Sequence, residues 1–475
     1  MLNNIQEFYN ILPLVILGAG ILISLLFEIF SKNSKVILPW LSIIIFLSAG
    51  FFALLTVNSV SITFHNMLST GGITNIFYFI FTFGAALVSL LSIDYLIKYG
   101  ANYGEFYILL QISVLGMMLM AGAEDLFVIF LGLEVMSVSF YSLAGLNRNS
   151  LKANEASIKY FLLGAFATGF LVYGIALIYG AAHTTSINII AERFDNLKGE
   201  LIFVAGFLLF LIGLSFKIAA FPFHMWVPDV YEGSSTTVAG LFSTGGKAAA
   251  FSAIIVTLGV LFNGTIQNIF EPYFAVIAVF SMLFGSIVAI SQSNIKRMLA
   301  YSTIAHAGYM LIGLAAGNSY GIAGIIFYLT AYTFMNLGAF GVVAIIEGKK
   351  ETNLTLDSYV GLAKRNPFLA ALLAVFMFSL AGIPPFAGFF GKYYIFIAAI
   401  KAHLTWLAIV GVISSVISVY FYLRIVVLMY FKDTETEISI QRSNTGLLAV
   451  VISMLMVIIL GIFPGTILNL ISSFL

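Results

Sequence analysis

Four ionisable residues, Glu134, Lys217, Lys247 and Lys392, stand in stretches so apolar that they read as membrane-spanning. A charge at a bilayer centre costs about 2.5 to 3.5 kcal/mol even on lenient insertion scales, so the four together cost on the order of 10 kcal/mol. A chain that only had to sit in lipid would not keep them. Proton relay suits them. A lysine in low dielectric gives up its proton more readily, a nearby carboxylate restores its charge, and moving or screening that carboxylate loads or unloads the lysine. Glu134 and Lys217 form the natural pair, with Lys247 and Lys392 continuing the line. Glu134 shares a helical face with Ser137 and Tyr141, and Lys247 has Ser243 and Thr244 one turn behind it. A static ion pair would account for Glu134 with Lys217. It would leave Lys247 and Lys392 unexplained, because only one acidic residue falls deep inside a predicted span.

Lys159 begins a predicted span with Glu155 one turn earlier, a standard helical partner. It either snorkels to the interface or joins the relay. Arg424, late in its span, snorkels likewise, while Ser414, Ser418 and Tyr422 share a face that either holds water or packs a neighbouring helix. Of the histidines, His65, His183 and His403 fall in or beside loops, and His224 lies beyond a helix break. His306 is mid-span with Ser302 one turn away and Tyr301 and Tyr309 nearby, a relay element or a hydrogen-bonded interior histidine. The histidines do not recur in the pairs a haem needs. No glycine-rich phosphate loop follows a strand.

The elements that must position these residues follow from composition. The chain has 475 residues, 61% hydrophobic and 9% charged, against about 25% charged in a soluble domain. It cannot cover a water-facing surface, so it is an all-α polytopic membrane protein. With a net charge of +1 and no long basic run, nucleic acid is excluded as a partner. Without cysteine there is no disulfide, thiolate zinc site or cysteine-ligated iron–sulfur cluster.

Apolar runs give fourteen candidate helices, the first six over 11–30, 36–57, 73–97, 106–121, 126–146 and 158–181 and the rest starting near Leu201, Thr236, Glu271, Met298, Tyr320, Pro367, His403 and Gly446. Glu7 is the only charge before Leu12, so the basic start of a cleavable signal is missing and the first helix is expected to stay. Thirteen Lys and Arg, among them Lys98, Arg148, Lys296, Arg297, Lys350 and Arg442, fall in loops of one side; three, Arg193, Lys198 and Lys401, fall on the other. The positive-inside rule then puts both termini outside.

The seventh and twelfth apolar stretches are too long for one straight span and carry Pro222 and Pro228, and Pro384 and Pro385. Proline removes a donor and clashes with the preceding turn, so both helices should break. The breaks lie five helices apart. An odd spacing makes helices 4–8 and 9–13 copies of opposite orientation, an inverted repeat with its site near the broken helices. The expected division is an N-terminal three-helix segment (1–100), the two repeats (101–265 and 266–432) and a C-terminal helix (433–475).

Several motifs in order then resemble the antiporter-like subunits of respiratory complex I. They are 125–134 ending in Glu134, 155–164 around Lys159, Lys217 through Trp226 to Gly233, 296–309 around His306, and the double-proline motif ending in Gly391 and Lys392. The likeness covers essentially the whole chain. It is nearest the subunit N branch, because lysine rather than glutamate follows the second break and no long lateral helix follows helix 14. The resemblance implies that Glu134, Lys217, Lys247 and Lys392 are the proton-path residues, and it raises Lys159 as a modulator. It implies that NADH, FMN, iron–sulfur clusters and quinone bind partner subunits, with no cofactor on this chain. Its partners would be other membrane subunits, in a bacterial inner membrane. Multisubunit sodium/proton antiporters, which share the core, are the alternative.

Overall fold

A computed structural model describes residues 7–261, 267–349, 352–433, 440 and 443–475; Lys350 and Arg442, two of the loop charges counted for topology, lie outside them. Among the described residues, twelve helices are long and apolar enough to cross a membrane, and two shorter apolar helices accompany them. In chain order the helices used below are α1 (Leu12–Phe30), α2 (Ser34–Leu55), α3 (Gly72–Tyr99), α4 (Gly104–Gly122), α5 (Leu126–Ala144), α6 (Leu151–Ala182) and α7 (Leu201–Lys217). They continue as α8 (Val227–Gly233), α9 (Thr236–Gly259), α10 (Gln267–Ile290), α11 (Ile295–Ala316), α12 (Ser319–Ile346), α13 (Pro367–Ala381), α14 (Ala387–Lys401), α15 (Thr405–Phe431) and α16 (Asn444–Ile462). A two-stranded hairpin, Ser61–Thr63 with Leu68–Thr70, precedes α3.

Polar side chains start several of these helices. Asp125 accepts from the Phe127 amide at 2.8 Å at the head of α5, and Asn318 accepts from Gly321 at 2.8 Å at the head of α12. Each satisfies a first-turn donor that has no carbonyl partner. Helix α6 begins at Leu151 with Ser150 as its cap, about two turns before the start expected from hydropathy. Lys152, Asn154 and Glu155 make those turns too polar for an apolar-run reading. Lys159 therefore lies inside the helix rather than at its start.

Contacts group the chain into two compact units. The first comprises residues 1–86, 103–219 and 245–269; the second comprises 87–102, 220–244 and 270–475. In the first, α4 and α5 meet glycine on glycine: a Cβ on Gly116 would lie 2.5 Å from the Gly132 carbonyl oxygen, and one on Gly132 2.7 Å from that of Gly116. Small residues allow such backbone approach, and it fixes the segment carrying Glu134. Helices α6 and α7 pack along their length. Apolar side chains such as Leu22 and Phe166 remain exposed, as lipid contact requires.

The second unit is organised around α12, buried at every residue from Ala323 to Ile346. Helices α11, α13, α14 and α16 and the first turns of α9 pack on it. Both long apolar stretches are interrupted. Helix α7 stops at Lys217 and helix resumes with α8 at Val227; α13 stops at Ala381 and α14 starts at Ala387. Gly382 takes φ +85° at the second stop, a conformation glycine adopts without steric cost.

Candidate functional site

In the first unit, Lys217 is the last residue of α7 and is buried. Its Nζ donates to the Tyr141 hydroxyl at 3.3 Å and lies 5.1 Å from the ring centroids of both Tyr141 and Tyr160. Two tyrosine faces thus hold the ammonium by cation–π attraction. They are fixed edge to face, their centroids 4.9 Å apart. Glu134 lies two turns before Tyr141 on α5, and its Oε1 accepts from Thr168 Oγ1 at 2.8 Å. Its charge acts on both Lys217 and Tyr141, yet each partner has its own hydrogen bond. Tyr141, which also interacts with Ser137, bonds the ammonium and lies within the field of the carboxylate. The predicted pair interacts through that field, with no ion pair between the two among the described residues.

Lys247 is buried in the same unit, at the start of the α-helical stretch that follows a π-helical turn, Phe242–Gly246. Such turns interrupt the regular ladder and are frequent at functional positions. Beyond Lys247 the helix packs against α4, α5 and α7. So Glu134, Lys217 and Lys247 belong to one unit, while Lys392 and His306 belong to the other.

Lys392 sits on α14 and reaches back across the break. Its Nζ donates to the carbonyls of Leu380 at 3.2 Å and Ala381 at 3.0 Å and to Ser415 Oγ at 2.9 Å, over the Tyr309 ring at 4.7 Å. The last carbonyls of a helix lack intrahelical donors and carry the negative end of its dipole. Lys392 caps α13 as a cation should. Gly382 makes room, since a Cβ there would lie 3.2 Å from Nζ.

A hydroxyl network extends from this lysine. Tyr309 donates to Ser414 at 3.3 Å, and Ser414 meets Ser286 at 3.0 Å. His306 Nδ1 bonds the Tyr328 hydroxyl at 2.7 Å, Nε2 bonds that of Tyr422 at 2.9 Å, and Tyr422 meets Ser302. The His306 ring also packs on Tyr309 and Tyr332. Tyr332 pairs with Thr303 at 2.9 Å and receives a bond from Asn336 at 3.1 Å, and Asn336 donates to Ser243 at 2.6 Å. His306 is thus fully hydrogen-bonded. Its neutral ring needs one donor and one acceptor partner, and two hydroxyls can exchange those roles.

Lys159 forms an ion pair with Glu155 at 2.7 Å, both side chains substantially exposed. Arg424 caps α10, donating to the Ile290 carbonyl at 3.2 Å. Sequence reasoning missed Tyr160, Thr168, Tyr328, Tyr332, Asn336 and the buried Glu347. Asn336 is a lone amide in an apolar run, so the burial-cost argument finds it. The tyrosines give no such signal because their rings fit the apolar pattern. Outside the spans, burial pushes the Glu124 carboxyl up, while bonds from Ser69 and Asn188 hold it back.

The transmembrane signature of the NADH:quinone oxidoreductase/Mrp antiporter family matches residues 123–418. NADH-quinone oxidoreductase subunit N of Trichlorobacter lovleyi is 46% identical over 97% of this chain and 95% of its own. A chain of respiratory complex I from Thermus thermophilus superposes with TM-score 0.82 at 30% identity, covering 96% of this chain and 98% of that one. A chain of the Mrp complex from Dietzia sp. shares the fold, with TM-score 0.87 at 20% identity over 98% of this chain and 97% of its own. The chain belongs to the NADH:quinone oxidoreductase/Mrp antiporter transmembrane family.

Proposed function

We propose that this chain is the proton-translocating membrane subunit of a NADH:quinone oxidoreductase, moving protons through buried lysines and a glutamate while redox chemistry proceeds on partner subunits. The observation that carries this reading is Lys217, a buried ammonium hydrogen-bonded to Tyr141 within the field of Glu134. With Glu134 charged, the ammonium is stabilised. When that charge is screened or displaced, Lys217 releases its proton through the Tyr141 hydroxyl, which can accept one proton while giving up another. Moving one proton against 100 mV takes about 2.3 kcal/mol, so modest changes in the field on a buried lysine suffice.

In this reading Glu134, Lys217, Lys247 and Lys392 form the path, His306 joins its hydroxyl network, and Lys159 with Glu155 modulates it. The two halves, 101–265 and 266–432, act as inverted copies between an N-terminal segment (1–100) and the last helix (433–475). FMN, iron–sulfur clusters and quinone sit on other subunits of the complex, in a bacterial inner membrane with both termini outside. A complex purified through a tag on this chain tests the reading. Flavin- and cluster-bearing subunits are expected to co-purify, and reconstituted vesicles to show NADH-driven proton uptake without sodium. Sodium-dependent proton exchange without redox subunits would instead make the chain an antiporter subunit.

A further inference from the structure

The sequence puts Glu347 at the head of the longest polar stretch, as a loop residue. In the structure it closes α12 and is completely buried, its side chain within the second unit. Its position is electrostatically wrong for an anchor, because a carboxylate at a helix C-terminus opposes the dipole. Oε2 accepts from Thr236 Oγ1 at 2.6 Å, whereas Oε1 is buried without a partner among the described residues. The ammonium of Lys98 bonds the Glu347 backbone carbonyl, not the carboxylate.

The surroundings repeat this pattern. Ser234, Ser235 and Thr237, beside Thr236 in the chain, have buried hydroxyls without partners among the described residues, and so does Tyr359, which lies within the field of Glu347. Several such atoms at one place suit water, which satisfies two to four polar groups at once. A cavity of about 30 Å³, lined by Asp94, Tyr95, Lys98 and Ser443, is joined to this cluster through Lys98, which bonds the Glu347 carbonyl, and through Tyr95. That is room for a water molecule. Tyr95 is shared, its hydroxyl accepting from the Thr236 amide at 3.1 Å. The charged and titratable groups around Glu347 include Lys98, Tyr95 and Tyr99 of α3, Tyr359, Lys349 two residues on, and Lys296 of α11, which holds the Ser234 carbonyl at 2.6 Å.

The same seam leads inward. Asn336 lies three turns before Glu347 on one face of α12, and Ser243 lies two turns after Thr236 on α9, about 10 Å at 1.5 Å per residue. Asn336 and Ser243 are hydrogen-bonded to each other and, through Tyr332, adjoin His306. We propose that Glu347 is a proton-loading carboxylate: it takes a proton from hydronium in the adjoining cavity and passes it by Thr236 and intervening water toward the Ser243, Asn336 and Tyr332 network. Each passage returns neutral water and an ionised Glu347, so no other reactant is consumed.

This rests on the proton-translocating reading, and the test separates the two. In the assembled complex, Glu347→Gln is expected to lower the proton-to-electron ratio at least threefold, and Glu347→Asp to recover half or more of it. A carboxyl band in the turnover infrared difference spectrum should vanish in Glu347→Gln. A wild-type ratio in Glu347→Gln, with Lys217→Ala deficient, overturns the loading role and leaves translocation standing. Wild-type ratios in both overturn translocation as well. Should Glu347→Gln fail to assemble, Thr236→Val removes only the hydroxyl and is expected to halve pumping; an unchanged ratio there overturns the loading role.

Discussion

The two helix breaks hold their lysines by different means. At the first, Lys217 ends its helix within the field of a carboxylate, Glu134, its ammonium bonded to the Tyr141 hydroxyl and set against the tyrosine rings of Tyr141 and Tyr160. At the second, Lys392 follows the break and binds fixed dipoles, the carbonyls of Leu380 and Ala381, with Ser415 as a third partner. A carboxylate can be protonated, screened or displaced; a helix terminus cannot. On the proposed reading the first lysine is therefore the switchable one, and the second is held steadily by fixed dipoles.

That contrast can be broken in several ways. The largest effect is expected for Glu134→Ala, which removes the switch and should lower the pumping rate of the assembled complex about tenfold or more, within the range for losing a proton-transfer partner. Equal sensitivity to loss of the α13 carbonyl post would erase the distinction. Gly382→Ala tests that post: the φ of +85° and the crowding of Lys392 Nζ should cost about 1 to 3 kcal/mol of stability. Thermal unfolding in detergent reads it, with pumping reduced several-fold in what assembles. Tyr141→Phe sharpens the first region by keeping the ring and removing the hydroxyl. Pumping should fall about threefold to tenfold, near 1 kcal/mol, while Tyr160→Phe, which keeps its cation–π face, stays near wild type.

The smallest effect is a pH dependence outside the spans. Burial raises the Glu124 carboxyl above its usual 4.5, so the folded chain binds a proton there that the unfolded chain has lost. Stability from this group is greatest below the unfolded value and falls as pH rises through the folded one. Glu124→Gln should flatten that slope at pH values above the usual carboxylate range, measured as the melting temperature of the purified complex. A parallel slope in the variant would remove Glu124 as its cause.

Much of the architecture was legible because lipid imposes a strict rule: apolar runs must be helical, and charges inside them are conspicuous. Glu134, Lys217, Lys247 and Lys392 emerge from that rule alone, as do the prolines near the two interruptions. Three things were not legible. The start of α6 is hidden because its first turns are polar, which moves Lys159 inward. Tyr160 beside Lys217, and Tyr328 and Tyr332 beside His306, are invisible because tyrosine counts as apolar until its hydroxyl finds a partner. Glu347 reads as a loop charge, and only the packing of α3, α9 and the segment around Tyr359 buries it.

The most direct test of the account is the proton-to-electron ratio of the assembled complex carrying Lys217→Ala, measured in vesicles during NADH oxidation. The account predicts a ratio well below wild type with assembly intact. A wild-type ratio would contradict it.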